Sequence, residues 1–452
     1  MELSPKKIIN EYSKNQIDKL TATKLLLSLI ENTDNNKTRI ECINQLDNIS
    51  VGDDRSFEVL EHLLISDSNA LIRNSAAITL RNNFLDRVLE PMKWSLAHDE
   101  SPLCLNTIYL TIIDILHNLA GDSDPFASSS LLTEIEGMNN KDFVIGFENM
   151  CRSKKIEDFS NSELADVLIN YFSFIYLEKS FWRLKCKLDE CKIIELDFIF
   201  KGLTRLPDVI KNLTHLKTLI LRYNQLTQLP DWISVLNSLE ILNVNVNNLN
   251  LLPEEIGYLK SLKELLLWKN ELSHLPSSVG NLINLETLNL RLNQLKALPD
   301  AIGGLTTLKE LNLHDNQLVN LPDSFIFLDK LEVLNLSWNN IQKLPDSIGS
   351  LSSLKVLDLE RNELTELPES IKDLRSLEYL NLSDNKLTVI PKGIGNLSSL
   401  QYLNLSRNEL DSIPKSLKSL SSLKKLYLRE NYIRTIPKYL RKLECIEDEI
   451  KY

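Results

Sequence analysis

Paired carboxylates are the first residues to test for chemistry, because two acids at a suitable separation can serve as general acid and general base. The candidates are Glu264 with Glu310, and Asp358 with Glu360. Neighbouring strands of any sheet lie about 4.8 Å apart, so such pairs also arise without catalysis. The surrounding sequence supplies neither an apolar environment nor a partner base. These carboxylates therefore predict no active site.

Other catalytic and cofactor-binding motifs are missing from the sequence. No G-x-x-x-x-G-K-[ST] nucleotide-binding motif occurs, and the six histidines show neither HExxH nor another paired ligand spacing. Cys445 lies in a short C-terminal tail, where it is interpreted as a buried residue rather than a nucleophile. We therefore expect no enzyme activity, no cofactor and no metal.

Large aromatic and charged residues recur at a fixed spacing in the second half of the chain, and Trp, Tyr and Arg dominate binding energy at protein interfaces. We predict that they bind a partner and that Trp268 and Trp338 are exposed. The predicted site comprises Tyr223, Trp268, Lys269, Arg291, Leu292, His314, Asp315, Trp338, Glu360 and Arg361. Later positions carry the small Ser383 and Ser406 instead, and this contrast marks the site. The alternative is that Trp268 only packs over the stems of Arg291 and Lys269.

A strict repeat determines where these residues lie. Eleven of the fifteen prolines, from Pro207 to Pro437, are spaced 23 residues apart. Asparagine follows the same interval at Asn224, Asn247, Asn270, Asn293, Asn316, Asn339, Asn362, Asn385, Asn408 and Asn431. The unit is L-P-x-x-I-x-x-L-x-x-L-x-x-L-x-L-x-x-N-x-L-x-x. Each unit buries its leucines only against its neighbours, which predicts a stacked solenoid.

Within each unit, x-L-x-L-x alternates with the period of a β-strand that has one buried face. The chain then turns, which leaves backbone N–H and C=O groups without ladder partners. Asparagine offers donors and an acceptor in one short side chain, so we predict that the repeated Asn is buried and bonded to backbone. The amides four residues before the repeated Asn, such as Asn289 and Asn312, are expected to hydrogen-bond along the rungs.

This part of the chain resembles intracellular leucine-rich repeat proteins of the 23-residue LPxxI class, found in Ras-group and related signalling proteins. The resemblance covers about residues 192–444. It implies an α/β solenoid: a horseshoe of about eleven repeats with a parallel β-sheet on its concave face, which binds partners. The first unit departs from the pattern, with Lys201 in place of Asn. Residues 179–191 are predicted to form an N-terminal cap strand.

The remaining chain lacks this interval and shows the apolar spacing of amphipathic helices. Asp67 followed by Arg73 and the small Ala76 and Ala77 resembles the first helix of a HEAT or armadillo repeat. The segment GDSDPFASSS is expected to be a loop. The predicted organisation is an all-α helical (HEAT-like) domain at 1–178, the cap strand at 179–191, the leucine-rich repeat domain at 192–444 and a tail at 445–452.

Charge narrows the classes of partner. The net charge of -11 and the sequence pI near 5.3 oppose nucleic-acid binding, which needs a basic surface. A local basic cluster nevertheless occupies the C-terminal repeats, at Lys415, Lys418, Lys424, Lys425, Lys438, Arg441 and Lys442. Two interpretations of this cluster remain open: a solvated surface, or contact with an acidic partner or an anionic membrane surface.

Cysteine usage and hydropathy bear on the compartment. The six cysteines are scattered without CxxC spacing, and no secretory signal pattern opens the sequence, which predicts a cytoplasmic protein. The most apolar windows are short and carry Asp114 and Asn170, so we expect no membrane span.

Together these patterns predict a non-catalytic scaffold or adaptor that binds a protein partner on the concave face. By resemblance, the partner is a small GTPase or another signalling protein. The alternative is a regulatory or inhibitory subunit of an enzyme. An enzyme would need a pocket between the two halves of the chain.

Overall fold

The computed structural model describes residues 4–121, 125–434 and 440. Cys445, the tail at 445–452 and the basic residues Lys438, Arg441 and Lys442 lie outside the described residues. The chain divides into two compact units. The first comprises the described residues up to Leu184 together with Leu188–Ile193, and the second comprises Lys185–Lys187 and the described residues from Ile194 onward.

The first unit is helical. Its α-helices are α1 (Pro5–Ser13), α2 (Lys19–Asn32), α3 (Asn36–Asn48), α4 (Asp54–Ser66), α5 (Ala70–Asn83), α6 (Leu89–His98), α7 (Pro102–Gly121), α8 (Pro125–Glu136), α9 (Lys141–Ser153) and α10 (Asn161–Ser180). Side-chain caps fix several starts; Asp18 accepts from the Thr21 N–H at 2.7 Å, and Ser160 with Glu163 forms a capping box. The prediction of a loop at GDSDPFASSS is wrong from Pro125 onward, because α8 begins there. Proline is well suited to the first position of a helix.

Helix α7 lies at the centre of this unit and packs against α5, α6 and α10. Among the described residues it is the one helix whose length and hydropathy would allow it to cross a membrane, and half of its apolar window is buried inside the structure. It is longer than the apolar window singled out in the sequence. Asp114 on α7 is paired with Arg81 on α5, with 2.7 Å between Nε and the carboxylate. A packed core helix accounts for its composition.

The sheet lies mainly in the second unit, although its first two strands each cross the boundary between the units. Its strands are β1 (Lys185–Asp189), β2 (Lys192–Asp197), β3 (Thr218–Ile220), β4 (Ile241–Asn243), β5 (Glu264–Leu266), β6 (Thr287–Asn289), β7 (Glu310–Asn312), β8 (Val333–Asn335), β9 (Val356–Asp358), β10 (Tyr379–Asn381), β11 (Tyr402–Asn404) and β12 (Lys425–Tyr427). They lie side by side in sequence order, and the pairing from β2 to β12 is parallel. The predicted solenoid with a concave parallel sheet is confirmed.

Each strand and its following turn form one rung. The central leucine of every strand from β3 to β12 is completely buried, as Leu219 and Leu311 illustrate. Strand register places equivalent residues of successive repeats beside each other, for example Leu288 beside Leu311. Opposite the sheet, each repeat from Pro207 to Pro414 forms a five-residue 3-10 turn that starts directly after its proline, such as Asp300–Gly304 after Pro299. The missing proline N–H costs nothing at that position.

Buried asparagines join each rung to the preceding repeat. Asn316 is 7% exposed; its Nδ2 donates to the carbonyls of Leu290 (2.9 Å) and Leu313 (3.1 Å), while Oδ1 accepts from the Leu295 N–H at 3.0 Å. The same three contacts recur at Asn224, Asn247, Asn270, Asn293, Asn339, Asn362, Asn385, Asn408 and Asn431. This network fixes the turn that carries the predicted site.

Candidate functional site

The predicted binding residues occupy two adjacent positions just after each strand. Six of the ten belong to a column in which the backbone is left-handed: Tyr223, Lys269, Leu292, Asp315, Trp338 and Arg361, with φ between 52° and 58°. The other four, Trp268, Arg291, His314 and Glu360, precede members of that column by one residue. The left-handed residue donates its N–H to the next rung, as Trp338 does to the Glu360 carbonyl at 2.8 Å. Side chains here therefore project from a hydrogen-bonded frame.

Trp338 is the centre of the best-defined cluster on this face. It is 42% exposed, and the Arg361 guanidinium lies 4.0 Å from its ring centroid. The His314 ring lies 6.1 Å away on the preceding rung. Burial, followed by the charge of Arg291, lowers the pKa of His314, which favours a neutral imidazole. The cluster thus joins an exposed indole, a cation and a neutral ring.

A hydrogen-bond chain defines the state of that imidazole. The Ser337 hydroxyl donates to Asn335 Oδ1 at 2.6 Å, and His314 Nδ1 lies 2.7 Å from Ser337 Oγ. Since the one hydroxyl proton is already used, His314 Nδ1 must donate to Ser337. Nε2 of the neutral ring is left as a hydrogen-bond acceptor.

Tyr223 forms a second cluster at the N-terminal end of the sheet. Its ring stacks on Phe200, with 4.5 Å between centroids and 13° between planes, and the Arg222 guanidinium lies 4.7 Å from the Tyr223 centroid. Phe200 is 71% exposed and was not singled out from the sequence. The signal was available, because Phe200 lies one repeat before Tyr223 in the left-handed column.

Trp268 differs from the expectation of an exposed side chain. It is only partly exposed, and its indole Nε1 is buried without a hydrogen-bond partner in the described part of the chain. Lys269 and Arg291 are exposed, and among the described residues no cationic group lies over the Trp268 ring. Trp268 therefore contributes to local packing as well as to the surface.

The amides of the column that contains Asn289 and Asn312 bond to backbone along their own rungs. Asn289 Oδ1 accepts from the Arg291 N–H, and Asn312 Oδ1 from the His314 N–H, each at 3.1 Å and within its own rung. Short Asn and Asp side chains favour this bond to backbone two residues ahead. The rungs of Ile220, Leu266 and Tyr427 lack such a side chain. At Leu266, Asn245 of the preceding rung accepts from the Trp268 N–H at 2.7 Å.

A tyrosine stack on the later rungs removes the contrast that was used to mark the site. Tyr379 and Tyr402 stack with 4.4 Å between centroids and 11° between planes, and Tyr427 lies 5.4 Å from Tyr402. Ser383 and Ser406 are small as predicted, and both are buried. Tyr379 and Tyr402 occupy the position before the buried central leucine, which the period of two also places on the concave face.

The residues just before strands β3 to β12 form a column of alternating charge. From Lys217 it runs Glu240, Lys263, Glu286, Lys309, Glu332, Lys355, Glu378, Gln401 and Lys424. Lys263 pairs with Glu240 at 2.6 Å, Lys309 with Glu286 at 2.7 Å and Lys355 with Glu332 at 2.6 Å. These pairs are partly exposed, so each contributes little to stability.

Comparison with protein families explains the repeat. A leucine-rich repeat region model matches residues 327–401, and leucine-rich repeat models match residues 215–236, 260–318, 376–433 and 399–447. The repeats of this chain are leucine-rich repeats. No curated protein gives a significant match.

Solved leucine-rich repeat structures resemble part of the chain. One from Leptospira interrogans is 31% identical and covers 54% of this chain and 80% of its own, with a TM-score of 0.31. The plant peptide hormone receptor RGFR1, in complex with RGF2, is 27% identical over 54% of this chain and 44% of its own, with a TM-score of 0.47. An internalin from Listeria monocytogenes is 21% identical over 58% and 90%, with a TM-score of 0.46.

The structure also locates the carboxylates and thiols that could serve as catalytic groups. Thr287 lies between Glu264 and Glu310 in the sheet, so these carboxylates are not adjacent. In the helical unit, burial raises the pKa of the Cys42 thiol to about 12, as it does for Cys191, so neither thiol is ionised near neutral pH. Across the described residues, no group of three or more His, Cys, Asp and Glu could hold a metal ion.

Proposed function

We propose that the concave face of the leucine-rich repeats binds a protein partner and that the chain acts as a non-catalytic scaffold or adaptor. The observation that carries the proposal is the exposed Trp338 with Arg361 stacked on its ring. Trp and Arg are the anchors that dominate interface energetics, and a hydrogen-bonded sheet loses little conformational entropy on docking. The receptor RGFR1, whose solved complex contains RGF2, offers a precedent for a leucine-rich repeat protein that holds a ligand.

The class of partner is inferred from the resemblance of the repeats to those of signalling proteins. The 23-residue LPxxI pattern favours a cytoplasmic signalling role, with a small GTPase or another signalling protein as the partner. The scattered cysteines support that compartment. The proposed domain division stays at residues 178 and 191, although helix α10 continues to Ser180 and β1 spans Lys185–Asp189.

The helical unit supports a HEAT-like assignment through its ion pairs. Arg39 reaches Asp67 at 2.6 Å, and Arg73 makes a two-pronged pair with Asp99 at 2.8 and 2.9 Å. Both aspartates are nearly buried, at 7% and 4% side-chain exposure. Each pair joins an arginine on one helix to the aspartate that directly follows the next helix. A contact that recurs in this way is expected of a helical repeat.

The basic cluster is a further candidate contact. The described members Lys415, Lys418, Lys424 and Lys425 are all exposed. Their clustered positive charge favours an acidic partner or an anionic surface.

The test is a binding titration of the full chain against a partner isolated by affinity capture. Trp338→Ala removes the exposed anchor and is expected to weaken binding about tenfold, or roughly 1.4 kcal/mol, with no loss of thermal stability. Trp338 is a cleaner target than Trp268, whose indole is partly buried.

Ser352→Arg and Ser398→Arg provide the control, since both change exposed serines in the convex turns. They should leave the affinity unchanged. Loss of binding in these variants, with full binding by Trp338→Ala, would move the site away from the concave face.

A further inference from the structure

Two carboxylates and two stacked tyrosines form a continuous part of the concave face, here called the acidic tyrosine surface. It consists of Asp358, Glu360, Tyr379 and Tyr402. Asp358 lies beside Asn381 in the parallel register, on the rung next to Tyr379, and Tyr379 stacks on Tyr402. All four side chains are partly exposed. Partner groups that approach the concave face can therefore reach them.

The neighbouring cations are already engaged elsewhere. Arg361 lies over Trp338, and Arg407 lies 3.4 Å from Asp384 and 3.2 Å from Glu430. Among the described residues, no Lys, Arg or His nitrogen comes within 4.0 Å of the Asp358 or Glu360 carboxylate. Both acids thus lack an ion-pair partner among the residues that the structure describes.

Their surroundings make this lack of compensation costly. Asn381, Ser383 and Ser406 are buried small residues on the adjacent rungs, and Glu360 is 3.4 Å from Asn381 Nδ2. Burial, with a further contribution from Glu360, raises the pKa of Asp358. Burial and the charge of Asp358 also raise the pKa of Tyr379, so its phenol stays neutral. An incoming cation would offset both negative charges, including the poorly solvated charge of Asp358.

We propose that the acidic tyrosine surface receives an arginine or lysine side chain from a basic segment of the protein partner. Carboxylates pair with guanidinium and ammonium groups, and tyrosine faces attract both through their ring electrons. This rests on the proposed concave-face function and specifies the charge of the partner at this position. A metal ion fits less well, because the described residues supply no cluster of three ligands.

The variants are chosen so that the fold survives. Asp358 Oδ1 accepts from the Glu360 N–H at 3.0 Å, and an asparagine amide oxygen makes the same bond at Asn335 and Asn381. Asp358→Asn therefore removes charge while restoring the residue typical of that column. Combined with Glu360→Gln, it removes both negative charges with little change in shape.

The probe is acetyl-tetraarginine amide, titrated into the full chain by isothermal calorimetry at 150 mM salt, an ionic strength that screens distant charges (Debye length about 8 Å). We expect Asp358→Asn with Glu360→Gln to weaken binding at least tenfold. The control pair, Glu271→Gln with Glu409→Gln, removes the same charge from exposed positions outside the concave columns and should stay within twofold of the wild type. Acetyl-tetraglutamate amide should not bind.

Equal losses in the two double variants would overturn the inference, because they would indicate attraction to the whole acidic chain. So would unchanged binding by the Asp358 and Glu360 double variant. The isolated partner separates the two proposals. If Trp338→Ala loses the partner while the Asp358 and Glu360 double variant retains it, the concave-face function stands and this inference fails.

Discussion

Replacing one ladder asparagine tests whether the rungs are held as described. In Asn316→Leu, the Leu290 carbonyl keeps its bond from Asn293 at 3.0 Å, and the Leu313 carbonyl keeps its bond from Asn339 at 2.9 Å. Only the Leu295 N–H, bonded at 3.0 Å to Asn316 Oδ1, loses its partner outright. An orphaned buried donor costs about 1–3 kcal/mol, so we expect a loss of about 2 kcal/mol in the free energy of unfolding.

The shared carbonyls predict a stronger effect when neighbouring asparagines are lost together. Asn316→Leu with Asn339→Leu removes both donors from the Leu313 carbonyl, so the combined cost should exceed the sum by about 1 kcal/mol. Asn316 and Asn362 share no carbonyl, and that pair should be additive.

Denaturant unfolding of the full chain measures the cost, and hydrogen exchange at the Leu295 amide reports the local change. Gln317→Leu is the matched control, since it places the same side chain at the adjacent exposed position. Faster Leu295 exchange is expected only in variants that lack Asn316. Identical unfolding of the Asn316 and Gln317 variants, or additivity of the neighbouring pair, would refute the reasoning.

Three further changes test other features. Val246→Asn should raise the melting temperature and add about 1 kcal/mol to the free energy of unfolding. A β-branched residue is strained at φ 56°, whereas asparagine tolerates that region. A lower melting temperature would show that Val246 is not strained. Asp358→Asn should raise the free energy of unfolding at pH 7. Burial raises the pKa of Asp358 in the folded state, so the wild-type protein loses stability as the pH rises through that pKa. In denaturation experiments the gain should vanish below about pH 3, where Asp358 is protonated in both the folded and the unfolded state. Gly280→Ala should lose about 2 kcal/mol in calorimetry, since its new Cβ would lie 2.1 Å from the Ala301 carbonyl oxygen.

The sequence was sufficient to predict the solenoid because the 23-residue interval is free of insertions. With the register fixed, the period of two placed Trp338 and Arg361 on the same face of adjacent rungs. It could not predict that Arg361 lies over the indole, because a long cationic side chain has many rotamers and its choice depends on packing. Alternation alone likewise could not show which way the Asn289 amide would turn.

The remaining differences have identifiable physical causes. Trp268 is only partly exposed, and its indole Nε1 is buried. That outcome depends on the side-chain rotamer, which alternation in the sequence does not determine. The stack of Tyr379 on Tyr402 depends on one strand position that was not included when the concave residues were chosen. Phe200 was missed because its repeat lacks the asparagine, with Lys201 in its place, although its backbone conformation follows the same pattern.

The column of alternating Lys and Glu just before the strands restricts how the number of repeats can change. Each rung meets an opposite charge on its neighbours from Lys217 to Glu378. Deleting the repeat that carries Lys309 would bring Glu286 beside Glu332, so two acids would face each other at the spacing of one strand. Deleting two consecutive repeats would restore the alternation. Within this segment, gaining or losing an even number of repeats preserves the alternation of charge, whereas an odd number places like charges side by side.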